Sequence, residues 1–454
     1  MRKVLETLYN IYKIEELRDR VVLTLGMLLV YRLGAQVVLP GIDPVQLAAL
    51  SSRTDGGGLL GILNAFTGGA FANASVFALG IMPYISASIV VQLMGIAVPY
   101  LQKLQKEGES GRKKINQITR WLTILICIVQ APAYLYGLSA LGVPESAFIL
   151  GKGPLFIISS VIILVTGTIF AMWLGEKITD KGIGNGISLL IMVGIIATLP
   201  LSFTQEFVSR VSENNGGLML ILIELVLWIV IILLSILLTL AVRRIPVQYA
   251  RRAAGGATSD RSVYGSRQYI PLKLNASGVM PIIFAQAIMF VPGLLGGLDI
   301  MKDSLVGQWL VANFGGNSMF GLWYNIVFAF LIIIFTYFYT AITVPTNKMA
   351  DDLKRSGGFI PGIRPGSETS EYLDKIMSQI TLPGSMFLAL IAVFPAIIVR
   401  LMDIQQGWAL FFGGTSLLIM VGVAIDTMQQ VNSYLLNKHY DGLMKTGKNR
   451  KAVQ

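Results

Sequence analysis

The sequence predicts an all-α polytopic membrane protein, and three observations support this fold class. The chain of 454 residues is 54% hydrophobic and 13% charged, and its mean hydropathy of +0.67 is far above that of a soluble domain. Segments of about 20 apolar residues, the length that a spanning helix needs, recur along the chain. Lys and Arg are concentrated in every second loop between these segments.

Ten windows are long and apolar enough to be spans. They are residues 21–39, 75–97, 121–141, 155–174, 184–200, 218–241, 276–297, 320–344, 378–399 and 407–428. Four of the six Trp residues (Trp121, Trp173, Trp323 and Trp408) lie at predicted span ends, as in an interfacial aromatic belt. The windows therefore predict a bundle of ten transmembrane helices.

The loops of one side hold 30 of the 36 Lys and Arg residues. These loops are residues 1–20, 98–120, 175–183, 242–275, 345–377 and 429–454. Basic loops stay in the cytoplasm because they are poorly translocated, so we expect both termini to be cytoplasmic. The net charge of +11 follows from this bias and from contact with anionic lipids, and a basic cytosolic face could also dock an acidic or RNA-rich partner.

Two short segments differ from the spans. Residues 1–20 are too charged for a signal peptide, and their amphipathic stretch 4–17 could lie on the membrane surface. Segment 59–72 is apolar but interrupted by Gly68 and Gly69. It is either a re-entrant piece in a water-filled funnel or an external apolar loop packed on the bundle.

The residues that could do chemistry are few. One cysteine, Cys127, and one histidine, His439, exclude an internal disulfide and argue against a Cys/His metal site. The spacing Gly442 to Lys448 resembles a phosphate-binding loop, but Asn449 replaces the Ser or Thr that would bind Mg²⁺. The Gly-rich stretch 182–186 is better explained as a tight turn before a helix. The sequence therefore predicts no enzyme, no cofactor and no metal.

Three ionisable residues lie inside the predicted spans: Arg32, Glu224 and Asp426. A charge at the bilayer centre costs about 2.5 to 3.5 kcal/mol, so each should be paired, snorkelling or facing water. Ion-coupled transporters place carboxylates near the midplane, and Glu224 is a poor candidate for that role. A secondary transporter of a small solute stays open as the alternative function.

Three stretches together carry a resemblance to a known family. They are Gly80 to Leu93 in the second span, Trp173 to Ser188 leading into the fifth, and Ser356 to Gly366 in the cytosolic loop before the ninth. In this order and at these positions they resemble the SecY family, the channel subunits of the bacterial Sec translocase. The third stretch, with its Gly-Gly and Pro-Gly pairs, also predicts a rigid basic projection.

The resemblance implies two pseudo-symmetric halves, residues 21–200 and 218–428, joined by an external hinge loop 201–217. It implies a lateral opening between spans two and seven, with Ser86, Gln130 and Gln286 as polar gate residues. Segment 59–72 becomes a plug helix, with Leu59, Leu60, Ile62, Leu63, Phe66, Gly68, Gly69 and Phe71 as plug residues. The pore ring implied is Ile81, Ile85, Ile187, Ile191, Ile283 and Ile419.

The function implied by the resemblance is a central protein-conducting channel in the bacterial inner membrane. Such a channel would pass unfolded secretory polypeptides and release transmembrane segments into lipid. The partners implied are SecE-like and SecG-like small membrane subunits, the SecA motor and the ribosome. Arg243, Arg244, Arg251, Arg252, Lys354, Arg355 and Arg364 would bind the cytosolic partners. Loop 242–275 departs from the commoner pattern by an insertion after Arg252, so contacts there are less certain than at Arg364.

Overall fold

A computed structural model of the chain describes residues 14–44, 64, 66–140, 147–149, 151, 153–212, 217–249, 268–297, 304–314 and 320–450. The chain divides into two compact units. The first, here the N-terminal unit, comprises Met1–Glu206 and Val423–Gln454, and the second, here the central unit, comprises Phe207–Gly422.

The N-terminal unit is built from long helices around an apolar core. In chain order the helices are α1 (Glu15–Gly34), α2 (Met82–Ala97), α3 (Pro99–Lys106), α4 (Glu109–Ala140), α5 (Pro154–Lys181) and α6 (Gly186–Ser212). Helix α4 packs against α2, α3 and α5, and α1 packs against α5. The core includes Leu39, Ala78, Tyr134, Phe148 and Leu164, all nearly inaccessible to solvent. The last helix, α14 (Gly414–Arg450), belongs to this unit from Val423 onward.

The central unit continues with helices of the same kind. They are α7 (Gly217–Leu240), α8 (Met280–Gly297), α9 (Leu305–Phe314), α10 (Leu322–Thr343), α11 (Thr346–Arg355), α12 (Ser367–Met402) and the short α13 (Gln406–Ala409). Helix α10 packs along α12, and α8 packs on both α9 and α10. Ile282, Met289, Phe328, Ile332 and Leu388 form part of its apolar core.

A small antiparallel sheet was not predicted from the sequence. Strands β1 (Val242–Tyr249), β2 (Gln268–Lys273) and β3 (Gly358–Phe359) pair in the order β2-β1-β3. Ile245 faces Ile270 in the register, and Gln248 faces Phe359. The sheet forms because Ile245 and Val247 alternate with exposed residues, and this face packs on α11 and α12 through Leu353, Leu373 and Met377. The two cytosolic loops of the prediction thus share one folded subdomain.

A helix lies in each of the ten predicted windows. Within the described residues, six helices are long and apolar enough to cross a membrane, or up to eight if two bent pairs each count as one span. The chain is therefore a mostly helical multi-pass membrane protein. Helix α1 is not among them because it is rich in charge. Its charged residues are Glu15, Glu16, Arg18, Asp19 and Arg20 at its start and Arg32 near its end.

The predicted start of the second window is wrong for a clear physical reason, and the first helix begins before its predicted window. The second window was expected to be helical from residue 75, but α2 begins at Met82. Gly80 has a φ of +55°, which a helix cannot contain, and Pro83 lies in the first turn of α2, where its missing N–H costs nothing. The first helix begins at Glu15 rather than 21 and so includes the end of stretch 4–17, of which residues 4–13 lie outside the described residues.

Candidate functional site

The described end of the predicted plug, residues 64 and 66–72, is a compact turn and is called the plug end below. Gly69 donates its backbone N–H to the carbonyl of Asn64 at 2.9 Å, and the Asn64 side chain accepts a bond from the N–H of Ala72 at 3.0 Å. Gly68 and Gly69 have φ values of +66° and +89°, which only glycine adopts without strain. The glycines that interrupt the apolar segment therefore end its helical part.

Arg32 holds the plug end from α1. Its Nη1 donates to the carbonyl oxygen of Gly68 at 2.9 Å, and the side chain is half-buried. Among the described residues, no carboxylate lies within ion-pair distance of Arg32. The predicted intramembrane arginine therefore binds a backbone carbonyl of the plug end.

Two further helices of the N-terminal unit contact the plug end. The Tyr134 hydroxyl on α4 donates to the Phe71 carbonyl at 2.7 Å, and the two rings meet edge to face. On α6, a Cβ added at Gly194 would lie 2.5 Å from the Phe66 carbonyl oxygen. Backbone approaches this close require glycine. The plug end is thus seated by α1, α4 and α6, whereas Leu59, Leu60, Ile62 and Leu63 lie outside the described residues.

The predicted pore-ring residues are all buried or half-buried. Ile81 and Ile85 are one turn apart at the start of α2, and Ile187 and Ile191 are one turn apart on α6, so each pair shares a face. Ile81, Ile191 and Ile419 are less than 10% exposed. Burial of this degree argues against lipid-facing positions, although Ile187 also packs closely against Gly175.

The predicted gate residues occupy different environments. Gln286 on α8 donates to the Thr415 hydroxyl at 3.3 Å, so its amide is engaged within the central unit. Ser86 is half-buried on α2, and Gln130 is exposed on α4. The gate assignment stays a prediction.

The predicted partner-binding residues that can be placed are solvent-exposed. Arg243 and Arg244 lie on β1, Lys354 and Arg355 end α11, and Arg364 follows β3. Arg364 is 86% exposed and lies 4.0 Å from Glu368. All five are exposed on the sheet subdomain of the central unit. Arg251 and Arg252 lie outside the described residues.

The Gly-rich stretch 182–186 is a tight turn, as predicted. Its backbone N–H groups are already bonded by side chains of the N-terminal unit. Thr24 accepts from Ile183 at 3.1 Å, Gln430 from Gly184 at 2.8 Å, and Thr179 from Gly186 at 2.9 Å. A phosphate would find these donors occupied. The other phosphate-loop candidate, residues 442–448, lies within the helix α14.

The other two predicted intramembrane charges, Glu224 and Asp426, lie in different environments. Glu224 on α7 forms an ion pair with Arg210 near the end of α6 at 3.1 Å, and both side chains are at most 5% exposed. Arg210 also donates to the Met402 carbonyl at 2.6 Å. Asp426 is exposed. The ion pair ties three helix ends of the central unit together.

The sequence alone does not indicate several of these contacts. It does not connect Arg210 with Glu224 or Arg32 with Gly68, because the partners are 14 and 36 residues apart and no local spacing links them. A signal for the sheet was available. The alternation of Arg244, Ile245, Pro246 and Val247 is typical of a half-buried strand.

The family model described as SecY matches residues 75–428, most of the chain. The chain belongs to the SecY family. It is 41% identical over 451 residues to a protein translocase subunit SecY of Halalkalibacterium halodurans, covering 97% of this chain and 99% of the relative. It is 38% identical to the same subunit of Aquifex aeolicus, covering 97% and 99%. The predicted family is thereby confirmed.

Solved structures share the fold. A protein-conducting channel matches 91% of both chains with a TM-score of 0.58 at 18% identity. A SecY whose plug domain stabilises the closed state matches 91% of both chains with a TM-score of 0.60 at 19% identity. Sec61 of the canine ribosome-channel complex matches the same shares with a TM-score of 0.56 at 18% identity. The fold of these channel structures therefore extends over 91% of this chain.

Proposed function

We propose that this chain is the central protein-conducting channel of a Sec translocase. It passes unfolded secretory polypeptides across the membrane and releases transmembrane segments laterally into lipid. The observation that carries the proposal is the nearly full-length match to translocase subunits at about 40% identity. The plug end seated in the N-terminal unit supports it, because a channel for large substrates needs a removable seal.

The passage of varied polypeptides follows from the aliphatic ring. Ile81, Ile85, Ile187, Ile191, Ile283 and Ile419 offer no fixed ligands, so they discriminate little among substrates while blocking ions by dewetting. Their burial in the described structure supports a path inside the protein. An apolar segment that reaches the gate residues Ser86, Gln130 and Gln286 gains about 0.8 kcal/mol per buried methylene by moving into lipid. Hydrophobicity would thus select the lateral route.

Energy for transport comes from cytosolic partners in this proposal. The basic surface of Arg243, Arg244, Lys354, Arg355 and Arg364 suits an RNA-rich ribosome or an acidic surface of a SecA-type motor. Its rigid sheet supports docking, since less ordering entropy is lost on binding. SecE-like and SecG-like subunits would complete the complex. In this proposal the chain lies in the inner membrane of a bacterium. The excess of Lys and Arg in alternate loops supports a cytoplasmic location of this face and of both termini.

A solute transporter finds no support in the described residues. Among the predicted intramembrane residues, Glu224 was the candidate carboxylate for coupling solute transport to an ion gradient. It is paired with Arg210. Nothing in the SecY match calls for a catalytic centre, and we assign no enzymatic activity.

Site-specific photocrosslinking to a stalled secretory polypeptide tests the proposal. Probes at Ile81, Ile191 and Ile283 should crosslink to the substrate. A control probe at Ile163, which packs on the N-terminal core from α5, should not. Equal labelling at all four positions, or none while the substrate is engaged at the membrane, would refute the proposed path.

A further inference from the structure

An apolar groove runs between α10 and α12 in the central unit. Its volume is about 400 Å³, and its walls include Ile326, Ala329, Ile333, Leu390 and Val393. Leu390 and Ile326 are more than half exposed, so the groove opens on the outer surface of these two spans. The bilayer is the solvent of that surface, because both helices are long and apolar enough to cross it.

One end of the groove is charged. Arg400, in the last turn of α12, completes the lining. Met377 on the same helix packs on the sheet, and Arg400 lies about 35 Å further along at 1.5 Å per residue. This distance slightly exceeds the hydrocarbon thickness of about 30 Å. Arg400 therefore lies at the headgroup level of the leaflet opposite the sheet.

The groove has the length of one leaflet. Its lining runs from Leu322 to Ile333 on α10 and from Met386 to Arg400 on α12, which are about 17 and 21 Å of helix. Half of a hydrocarbon core is about 15 Å. A partner transmembrane helix would need a seam of about twice this length, whereas one acyl chain with its headgroup matches it.

The positive charge of Arg400 at the rim of the groove favours a lipid with a phosphate in its headgroup. Within the described residues, no carboxylate lies within ion-pair distance of Arg400, and its side chain is exposed. A guanidinium binds a phosphodiester through two parallel hydrogen bonds. We propose that this groove is a binding site for one glycerophospholipid, whose acyl chain lies between α10 and α12 and whose phosphate binds Arg400. None of the predicted ring or gate residues lines this groove.

Photoactivatable lipids in vesicles containing the full chain test this site. The probes are phosphatidylglycerol, phosphatidylethanolamine and a diacylglycerol without phosphate, each with the reactive group on the acyl chain. Both phospholipids should label residues 322–333 and 386–400, and diacylglycerol should label them about tenfold less. If phosphatidylglycerol alone labels these residues, recognition depends on its glycerol headgroup and not on the phosphate that both phospholipids share. That result would overturn the phosphate assignment.

Matched variants separate a built site from ordinary annular lipid. Ala329→Trp fills the groove, and Arg400→Gln removes the charge. Each should lower phospholipid labelling about tenfold, while Arg400→Lys keeps most of it. Ile334→Trp, on the exposed face of α10 outside the groove, should leave labelling unchanged. Equal labelling in Ala329→Trp and Ile334→Trp would overturn the proposal.

A probe at Leu390 in native membranes tests the competing occupant. A photoreactive side chain there should crosslink to lipid. A crosslink to a membrane protein in place of lipid would show that a partner helix covers the groove and would also overturn the proposal.

Discussion

Arg32 and Arg210 are two arginines of membrane-embedded helices that are held in opposite ways. Arg210 is 5% exposed, is 3.1 Å from the Glu224 carboxylate and donates to the Met402 carbonyl. Arg32 is only half-buried, and its one hydrogen bond among the described residues goes to the Gly68 carbonyl. Arg210 thus has a full counter-charge in Glu224, whereas Arg32 has only the dipole of the Gly68 carbonyl.

The two arginines should therefore differ in how much free energy is needed to break their contacts. Removing one member of a buried ion pair costs about 3 to 5 kcal/mol, because the other charge is left uncompensated. A hydrogen bond to a charged group contributes about 1.5 to 3 kcal/mol. Because the half-buried Arg32 guanidinium is rehydrated when its bond breaks, the net contribution of this bond is about 1 kcal/mol. The Arg210 joint is thus expected to be permanent, and in the proposed function the weaker Arg32 contact is released when a polypeptide displaces the plug end.

The largest effect should come from breaking the permanent joint. Glu224→Met leaves Arg210 buried without its counter-charge and should destabilise the protein by about 3 to 5 kcal/mol. Equilibrium unfolding in detergent would measure this loss. Pairing Glu224→Met with Arg210→Met should restore most of the stability. If the double variant is as unstable as the single one, the cost is in packing and the ion-pair account is wrong.

An exposed ion pair is the matched control for this prediction. Arg120 and Glu176 are 2.6 Å apart in the N-terminal unit, but the Arg120 side chain is half exposed. Exposed pairs contribute about 0 to 1 kcal/mol. Glu176→Met should therefore change stability far less than Glu224→Met does.

The next largest effect should come from the plug end itself. Gly68→Val adds a Cβ that meets the Arg32 guanidinium and lies 2.9 Å from Gly194 Cα, at a φ of +66° that costs a side chain about 1 to 2 kcal/mol. The seated plug should become about tenfold less populated, and ion leakage through reconstituted vesicles should rise. Gly26→Val is the control, since a Cβ there meets nothing within 4 Å. If Gly68→Val and Gly26→Val leak to a similar extent, Gly68 has no role in the seal.

A smaller effect should follow the loss of the Arg32 bond. Arg32→Met removes one hydrogen bond and should raise vesicle leakage by several-fold at most, because Tyr134 and Gly194 still seat the plug end. Arg32→Lys keeps a donor and should leak less than Arg32→Met. Overall stability should stay close to the wild-type value, in contrast to Glu224→Met. A large loss of stability in Arg32→Met would place Arg32 in the same class as Arg210.

The smallest effect should come from the polar gate residues. Ser86→Leu, Gln130→Leu and Gln286→Leu each remove a polar group that disfavours apolar packing at the predicted seam between spans two and seven. We expect a shift in the hydrophobicity that a segment needs to enter the membrane, by less than about 1 kcal/mol for each residue. Insertion of model segments of graded hydrophobicity measures this threshold. An unchanged threshold in all three variants would remove them from the gate.

Much of the fold could be predicted because it depends on local properties. Apolar runs and alternating basic loops predicted the span windows, and the glycines of stretch 182–186 predicted its turn. The exceptions depend on long-range contacts. The sheet needs β1 and β3, more than 100 residues apart, and the plug end needs α1, α4 and α6. The ring isoleucines came from family resemblance alone, because aliphatic residues in a span carry no local signal of a pore.

If the plug end leaves its seat during transport, a reversible lock that holds it there should stop transport reversibly. Phe71→Cys and Tyr134→Cys place thiols where two rings now touch, with centroids 4.9 Å apart, and Cys127→Ala removes the one native thiol, which is buried. A short cleavable crosslinker should join them, stop transport of a secretory polypeptide, and let transport resume after cleavage. Full transport with the crosslink intact would contradict the claim that the plug end leaves its seat.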